Sequence, residues 1–244
     1  MSVSAALVKL LIDQWDFSGD NNSVSGEITV PDLDETTFQA TALLKQPGLP
    51  SATIQHAGYF SGPGAGTIEK ELYDRIGTAT PVQLGVMLHS SLVNSPMYIS
   101  RAAWGQQLRI QAPAKELITL EGQWPGMLAL KRGLKIFDGT LSATGAQTSR
   151  EFSAGGTAGG DAYIWVKTIT GGTTGISVRI EHATTEGGAY STLATFANFT
   201  AVGAYTVSLG TGTVNRWLRV NVVGLGGATS FVCVVAAAVN GRTQ

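Results

Sequence analysis

The second half of the sequence repeats short runs of β-branched, aromatic and alternating apolar and polar residues, separated by glycine-rich turns. The runs are residues 162–169, 176–182, 205–209, 217–223 and 229–239. A period of two places one set of side chains in a core and the other in water, which is typical of a half-buried β-strand. Strands at this even spacing predict a compact all-β sandwich or jelly roll of about 95 residues.

The first half also predicts strands, together with one helix. Ile68, Leu72 and Ile76 recur every four residues, which makes a single apolar stripe on a helix. Thr67 precedes this stripe as a candidate cap, and Gly77 follows it as a stop. We therefore expect a helix from Ile68 to Ile76, with Leu72 packed either on its own barrel or against a neighbouring subunit.

The composition of the chain changes near residue 145. All eight prolines and all four methionines lie at or before Met127, and glycine is frequent beyond residue 150. Residues 141–160 are small, polar and rich in glycine, as a flexible connection is. The fold class predicted from the sequence is therefore mainly β, in two domains. Residues 1–145 form a β-barrel or sandwich with one short helix, and residues 146–244 form an all-β sandwich module.

Charge and apolar content exclude several classes of protein. The formal net charge is −1 and only 14% of the residues are charged, so we expect no bulk attraction to nucleic acid or to an anionic membrane. Long apolar runs such as residues 232–239 fall far short of the ~20 residues that span a bilayer. The first ten residues lack the charged start of a signal peptide, which favours synthesis and initial residence in the cytoplasm.

No motif for catalysis or metal binding emerges from the residues. The three histidines His56, His89 and His182 have no other histidine or cysteine within ligand spacing. The acidic run at residues 32–35 lacks the ligand alternation of a calcium loop, and residues 62–67 lack the ending of a phosphate loop. Cys233 is a lone cysteine, expected to be a small buried hydrophobe. We predict neither an enzyme nor a cofactor.

Four short segments of the first half form a recognisable series: 16–25 (DFSGDNNSVS), 33–38 (LDETTF), 45–49 (KQPGL) and 58–60 (GYF). In this order they resemble the opening of major tail tube proteins of long-tailed bacteriophages. The resemblance covers about residues 9–140. Residues 214–220 (VNRWLRV) resemble a strand of the immunoglobulin-like or jelly-roll modules that are appended to phage structural proteins.

The resemblance implies a structural protein of the virion tail, assembled in the host cytoplasm. The first domain would form hexameric rings that stack into a tube with other tail proteins, and DNA would pass through the lumen without specific binding or a membrane partner. Residues 31–45 have too little apolar content to fold on themselves, so we expect them to become ordered only against a neighbouring subunit. The inter-subunit residues implied are Asp20, Asn22, Asp34, Thr36, Thr37, Phe38 and Leu72.

A second interpretation belongs to a different functional class. The same motifs also occur in other virion proteins, so a capsid-decorating protein or a glycan-binding protein is the alternative. In that interpretation Trp165, Tyr190 and Trp217 are the candidate surface contacts, because aromatic rings can stack on sugars. Tryptophan within an alternating strand also fits a buried core position, so the two interpretations of Trp165 and Trp217 stay open at this point.

Overall fold

The computed structural model describes residues 7–34, 45–62, 66–152 and 159–240. Within these ranges the protein is mainly β with one short α-helix, as the sequence predicts. The elements are β1 (Lys9–Ile12), β2 (Trp15–Asp16), β3 (Asn21–Thr29), β4 (Asp32–Asp34), β5 (Lys45–Pro47), β6 (Ser51–Tyr59), α1 (Ile68–Arg75), β7 (Val82–Met87), β8 (Pro96–Ala103), β9 (Gln107–Gln111), β10 (Thr119–Pro125), β11 (Lys131–Leu141), β12 (Gly145–Ala146), β13 (Arg150–Glu151), β14 (Gly160–Thr170), β15 (Ser177–Ala183), β16 (Ser191–Thr195), β17 (Gly203–Ser208), β18 (Trp217–Gly224) and β19 (Ser230–Val239).

The chain folds into two compact units. Unit 1 comprises Met1–Ser18, Gln83–Ile99 and Lys131–Gln244, and unit 2 comprises Gly19–Val82 and Ser100–Leu130. An antiparallel sheet with the strand order β17-β14-β19-β11-β8-β7-β1-β2 runs through unit 1. A second sheet in unit 1 has the order β12-β18-β15-β16, and β13 also pairs with β18.

Both faces of the long sheet in unit 1 are buried at its central strands β14 and β19. On one face, Ile164 and Val235 pack with Ile180 and Val220 of the five-stranded sheet, which forms the core of a β-sandwich. On the other face, Trp165 packs with residues of β1, β7 and β8, so the sheet curls over its own centre. Gly85 permits this close approach, since an added Cβ would lie 2.8 Å from Cζ2 of Trp165.

Unit 2 contains a four-stranded antiparallel sheet with the order β3-β6-β10-β9. Helix α1 packs on one face of this sheet through Ile68 and Leu72, both 1% exposed. The helix ends at Arg75, one residue earlier than predicted, and Ile76 is 39% exposed instead of completing the buried stripe. Glu71 near the helix start pairs with Arg75 in its last turn at 3.3 Å, an orientation that suits the helix dipole.

The two compact units do not follow the predicted division at residue 145. Strand β11 lies before that point, yet it pairs with β19 along most of its length in the same sheet as β14. Ala146 itself belongs to β12, which pairs with β18. The glycine-rich segment that predicted a connection is therefore partly built into unit 1. Composition marks a change in sequence character there, whereas non-local strand pairing determines which residues pack together.

Candidate functional site

One face of the four-stranded sheet in unit 2 is polar across all four strands. The strand register aligns Ser25, Gln55, Gln123 and Gln107 in one row, and Ser23, Ala57, Glu121 and Arg109 in the next. These eight residues, hereafter the polar face, line a shallow groove of about 360 Å³. Side chains at alternate positions share a face of a sheet, so the residues between them lie on the opposite face.

The polar face offers many hydrogen-bonding groups and little net charge. Nη1 of Arg109 lies 3.5 Å from Oε2 of Glu121, which joins the two opposite charges of the second row. Gln111 donates from Nε2 to Oε1 of the same carboxylate at 3.2 Å. Strong binding of a nucleic acid backbone depends on unpaired lysine or arginine at the phosphates, which this pattern does not supply.

The opposite face of the sheet is covered by helix α1. An added Cβ on Gly122 would lie 2.4 Å from Nε2 of His56 and 2.8 Å from Cδ2 of Leu72. His56 also stacks on Trp124 with the ring centroids 6.5 Å apart. The glycine in β10 therefore makes room for the imidazole ring of β6 and for the central leucine of the helix.

His56 is a buried titratable group in this packing. Its Nδ1 lies 3.0 Å from Oδ1 of Asn21, and its Nε2 has no hydrogen-bond partner among the described residues. Burial lowers the pKa of His56 to about 4 from its ordinary value of 6.5. The ring is therefore neutral in the folded protein at neutral pH, and protonating it would place an uncompensated charge in the apolar layer.

We expect His56 to make the protein less stable as the pH falls. The unfolded chain takes up a proton near pH 6.5 and the folded chain near pH 4, so this contribution to stability is complete above pH 6.5 and is lost as the pH falls toward 4. The full loss is about 3 kcal/mol, of which about 2 kcal/mol has occurred by pH 4.5. Urea unfolding at pH 7 and pH 4.5 measures it, with His56→Gln as the control. An equal pH dependence in wild type and variant would contradict the prediction.

Each of the two outer strands of this sheet, β3 and β9, has one unpaired edge among the described residues. Ile28 on β3 is 54% exposed and Ile110 on β9 is 56% exposed. The register places both isoleucines on the face opposite the polar face. Exposed strand edges that carry apolar side chains are favourable sites for pairing with another chain.

Strands β3 and β6 continue into a two-stranded extension, hereafter the hairpin arm, formed by β4 and β5. Every residue of β4 and β5 is exposed, and Leu33 is 52% exposed. Gly48 donates its N–H to the carbonyl oxygen of Pro31 at 2.7 Å, which closes the base of the arm. A two-stranded ribbon with exposed apolar residues is marginal by itself in water, so the hairpin arm favours contact with a partner.

The structure places the predicted inter-subunit residues in different environments. Asn22 is exposed at a bulge in β3, Asp34 is exposed in the hairpin arm, and Asp20 is half-buried beside β6. Leu72 is 1% exposed and packs inside unit 2, which corresponds to the first of the two positions expected for it, on its own domain. Thr36, Thr37 and Phe38 lie outside the described residues, as does most of the segment 31–45.

The three aromatic residues of the glycan-binding alternative do not form one site. Trp165 is fully buried on the curled face of the long sheet, and it therefore cannot contact a ligand at the surface. The buried-core interpretation is the correct one for this residue. Tyr190 and Trp217 are both half-buried.

The outer face of the five-stranded sheet in unit 1 carries an ion-pair cluster that the sequence analysis missed. Glu181 accepts hydrogen bonds from Nε of Arg219 and from Nδ2 of Asn221, each at 2.7 Å. Nη2 of Arg179 lies 2.7 Å from the same carboxylate. Burial would raise the pKa of Glu181, but the hydrogen bonds from Asn221 and Arg219 and the two positive charges hold it below its ordinary value.

Metal-binding groups and membrane-spanning helices were searched for in the described part of the chain. There, no group of three or more histidine, cysteine or acidic residues could hold a metal ion. No helix in the same ranges is long and apolar enough to cross a membrane. Cys233 is buried as predicted, and burial raises the pKa of its thiol, which keeps the reactive thiolate from forming.

Comparisons with known proteins find similarity only among solved structures. No family model and no curated protein matches the chain. A protein in the tail of an empty gene transfer agent particle is 15% identical, with 53% of this chain and 97% of that chain covered and a TM-score of 0.38. A protein of the cap that terminates the anti-feeding prophage tube is 13% identical. The match covers 54% of this chain and 91% of that chain, with a TM-score of 0.43.

The Dit protein of phage SPP1, described as a hub of the adsorption apparatus, aligns over more of the chain. It is 10% identical, with 95% of this chain and 98% of that chain covered and a TM-score of 0.39. Because scores below 0.5 do not establish a common fold, the function of this chain has to be inferred from its own residues.

Proposed function

We propose that the protein is a structural component of a phage tail that assembles with copies of itself into rings around a channel for DNA. The observation that carries the proposal is the four-stranded sheet of unit 2, which combines two unpaired edges with a polar face. The residue series that resembles major tail tube proteins supports the same role. The solved structures described above also come from tails, tubes and adsorption apparatus, which are tail roles.

The contact between copies joins β3 of one subunit to β9 of the next. Such a contact uses two different surfaces, so repeating it generates a closed ring when the rotation between copies divides a full turn. It satisfies the unpaired backbone groups of both edges and makes the polar faces of successive subunits continuous. Six copies per ring follow from the family resemblance alone.

The polar face borders the channel in this assembly, because helix α1 occupies the opposite face of each sheet. Serine and glutamine side chains provide a hydrated surface, and the paired charges of Arg109 and Glu121 contribute no net charge. DNA needs to slide through such a channel, so the absence of unpaired positive charge on the polar face suits passage without specific binding. The hairpin arm contacts a neighbouring ring or subunit.

The test is whether a charge on the sheet edge stops assembly. We expect wild-type protein to form rings or tubes by negative-stain microscopy, and Ile28→Lys to remain monomeric in sedimentation velocity because a lysine on an edge strand opposes pairing. Val223→Lys is the matched control, since Val223 is an exposed apolar residue on β18 of unit 1. Monomers of wild type at all concentrations, or normal assembly of Ile28→Lys, would overturn the proposal.

A further inference from the structure

The ion-pair cluster on the outer face of the five-stranded sheet has the features of a ligand site, and it lies in a different sheet from the strand edges proposed for ring assembly. Residues 179 and 181 of β15 pair with 221 and 219 of β18, so their side chains share one face. Val178, Ile180 and Val220 lie on the other face, in the sandwich core. The cluster is therefore mounted on a rigid sheet whose inner side is fully packed.

A buried carboxylate holds two guanidinium groups in fixed positions. The side chain of Glu181 is 4% exposed, whereas those of Arg219 and Arg179 are 27% and 36% exposed. Each guanidinium has five N–H donors, and the contacts to Glu181 use only part of them. Two arginines against one carboxylate leave the cluster with one net positive charge and with donors along its exposed side.

Aromatic side chains complete the cluster. The ring of Tyr190 stacks on Arg219, whose Cζ lies 3.8 Å from the centroid of the ring. The hydroxyl of Tyr190 donates to the carbonyl oxygen of Glu186 at 3.0 Å. Trp217 lies two residues before Arg219 on the same face of β18, so its half-buried ring is a neighbour along the strand. The ring of Tyr190 restricts the arginine, which lowers the entropy lost when a ligand binds.

We propose that this cluster, formed by Arg179, Glu181, Tyr190, Trp217, Arg219 and Asn221, binds an anionic polymer of sugar or polyol units. The planar fork of arginine matches the two oxygens of a carboxylate or phosphate group, and the flanking aromatic rings supply flat apolar surface for a sugar ring. The net positive charge selects an anionic polymer over a neutral one. The shared chemistry is an oxyanion carried on a sugar or polyol chain.

Binding of defined polymers to the full chain tests the proposal. The probes are short oligomers of polygalacturonate, which carry carboxylates, and of poly(glycerol phosphate), which carry phosphates, with neutral dextran as the reference, all measured by calorimetry. We expect one or both anionic probes to bind, and the arm that binds identifies the source of the oxyanion. Failure of both, or equal binding of dextran, would overturn the proposal.

A pair of arginine variants separates a specific site from general charge attraction. Arg179→Gln removes one fork and should weaken binding about tenfold. Arg216→Gln removes an equal charge from an arginine that pairs with the exposed Glu151 outside the cluster, and it should change affinity less than about twofold. Equal losses in the two variants would overturn the site. If Arg179→Gln fails to fold, Arg219→Lys serves instead, since it keeps the charge and loses the fork.

Discussion

Leu72→Ala should destabilise the protein by about 2–5 kcal/mol, a large share of the roughly 5–15 kcal/mol that a domain of this size has. Leu72 is 1% exposed and fits over Gly122 beside His56, so truncation leaves a cavity between helix and sheet that backbone movement cannot easily fill. Chemical denaturation measures the loss. The sedimentation of the variant shows whether the sheet still supports assembly.

Lys70→Ala is the matched control on the same helix. Lys70 forms an exposed pair with Asp74 four residues later, and water screens such a pair so strongly that it contributes little to stability. We expect its unfolding midpoint to stay close to that of wild type. Small and equal effects of the two substitutions would mean that helix α1 does not hold the four-stranded sheet.

Trp165→Ala should cost about 3–5 kcal/mol, because it removes a fully buried aromatic ring. The ring packs in the curl of the long sheet with Met87, Met97 and Tyr163, and its Nε1 reaches the carbonyl oxygen of Gln83 at 3.5 Å. Deleting it empties the space that Gly85 leaves open. Thermal and urea unfolding of unit 1, followed by tryptophan fluorescence and circular dichroism, measure the effect.

Trp217→Ala provides the comparison for the same change of side chain. Trp217 is half-buried on the outer face of the five-stranded sheet, so its removal should cost about 1 kcal/mol. The same variant should weaken binding of the anionic polymer if the ring stacks on sugar as proposed. A loss of stability from Trp217→Ala as large as that from Trp165→Ala would contradict the distinction between a core ring and a surface ring.

Local patterns in the sequence predicted the elements well. The alternation at 176–182 and 217–223 corresponds to β15 and β18, and the four-residue spacing of Ile68 and Leu72 corresponds to helix α1. These predictions depend on neighbours within one strand or one turn, where hydrophobic periodicity is a direct signal. The predicted end at Ile76 was one residue too long, because the exposure of Ile76 depends on what packs beside it.

The arrangement of the strands could not be predicted in the same way. Pairing of β11 with β19 joins residues about a hundred positions apart, and no local pattern encodes it. Trp165 of β14 is buried because β7 packs against it at Gly85. The alternation of residues within β14 alone could not distinguish a core position from a ligand contact. The same limit applies to Glu181 and Arg219, whose opposition across two strands appears only with the register.

The sequence pattern contained a signal for the polar face, although the sequence analysis did not identify it. Residues 51–59 and 119–125 alternate regularly between buried and more accessible positions. Gln55 is exposed and Gln123 is half-buried, and both lie at the accessible positions. Reading the polar positions of each strand separately would have indicated a run of uncharged amides. Predicting that these polar side chains align in rows across four strands still requires knowledge of the antiparallel register.

The central place of β19 in the long sheet has a consequence for synthesis on the ribosome. β19 lies between β14 and β11, so two of the longest strands lack their shared partner until residue 239 has emerged. Strands β1, β7 and β8 must wait in a partly exposed state while more than a hundred residues are translated after them. Unit 2 is complete once residue 130 has emerged, so the outer edges of β3 and β9 are accessible to another chain before unit 1 has closed.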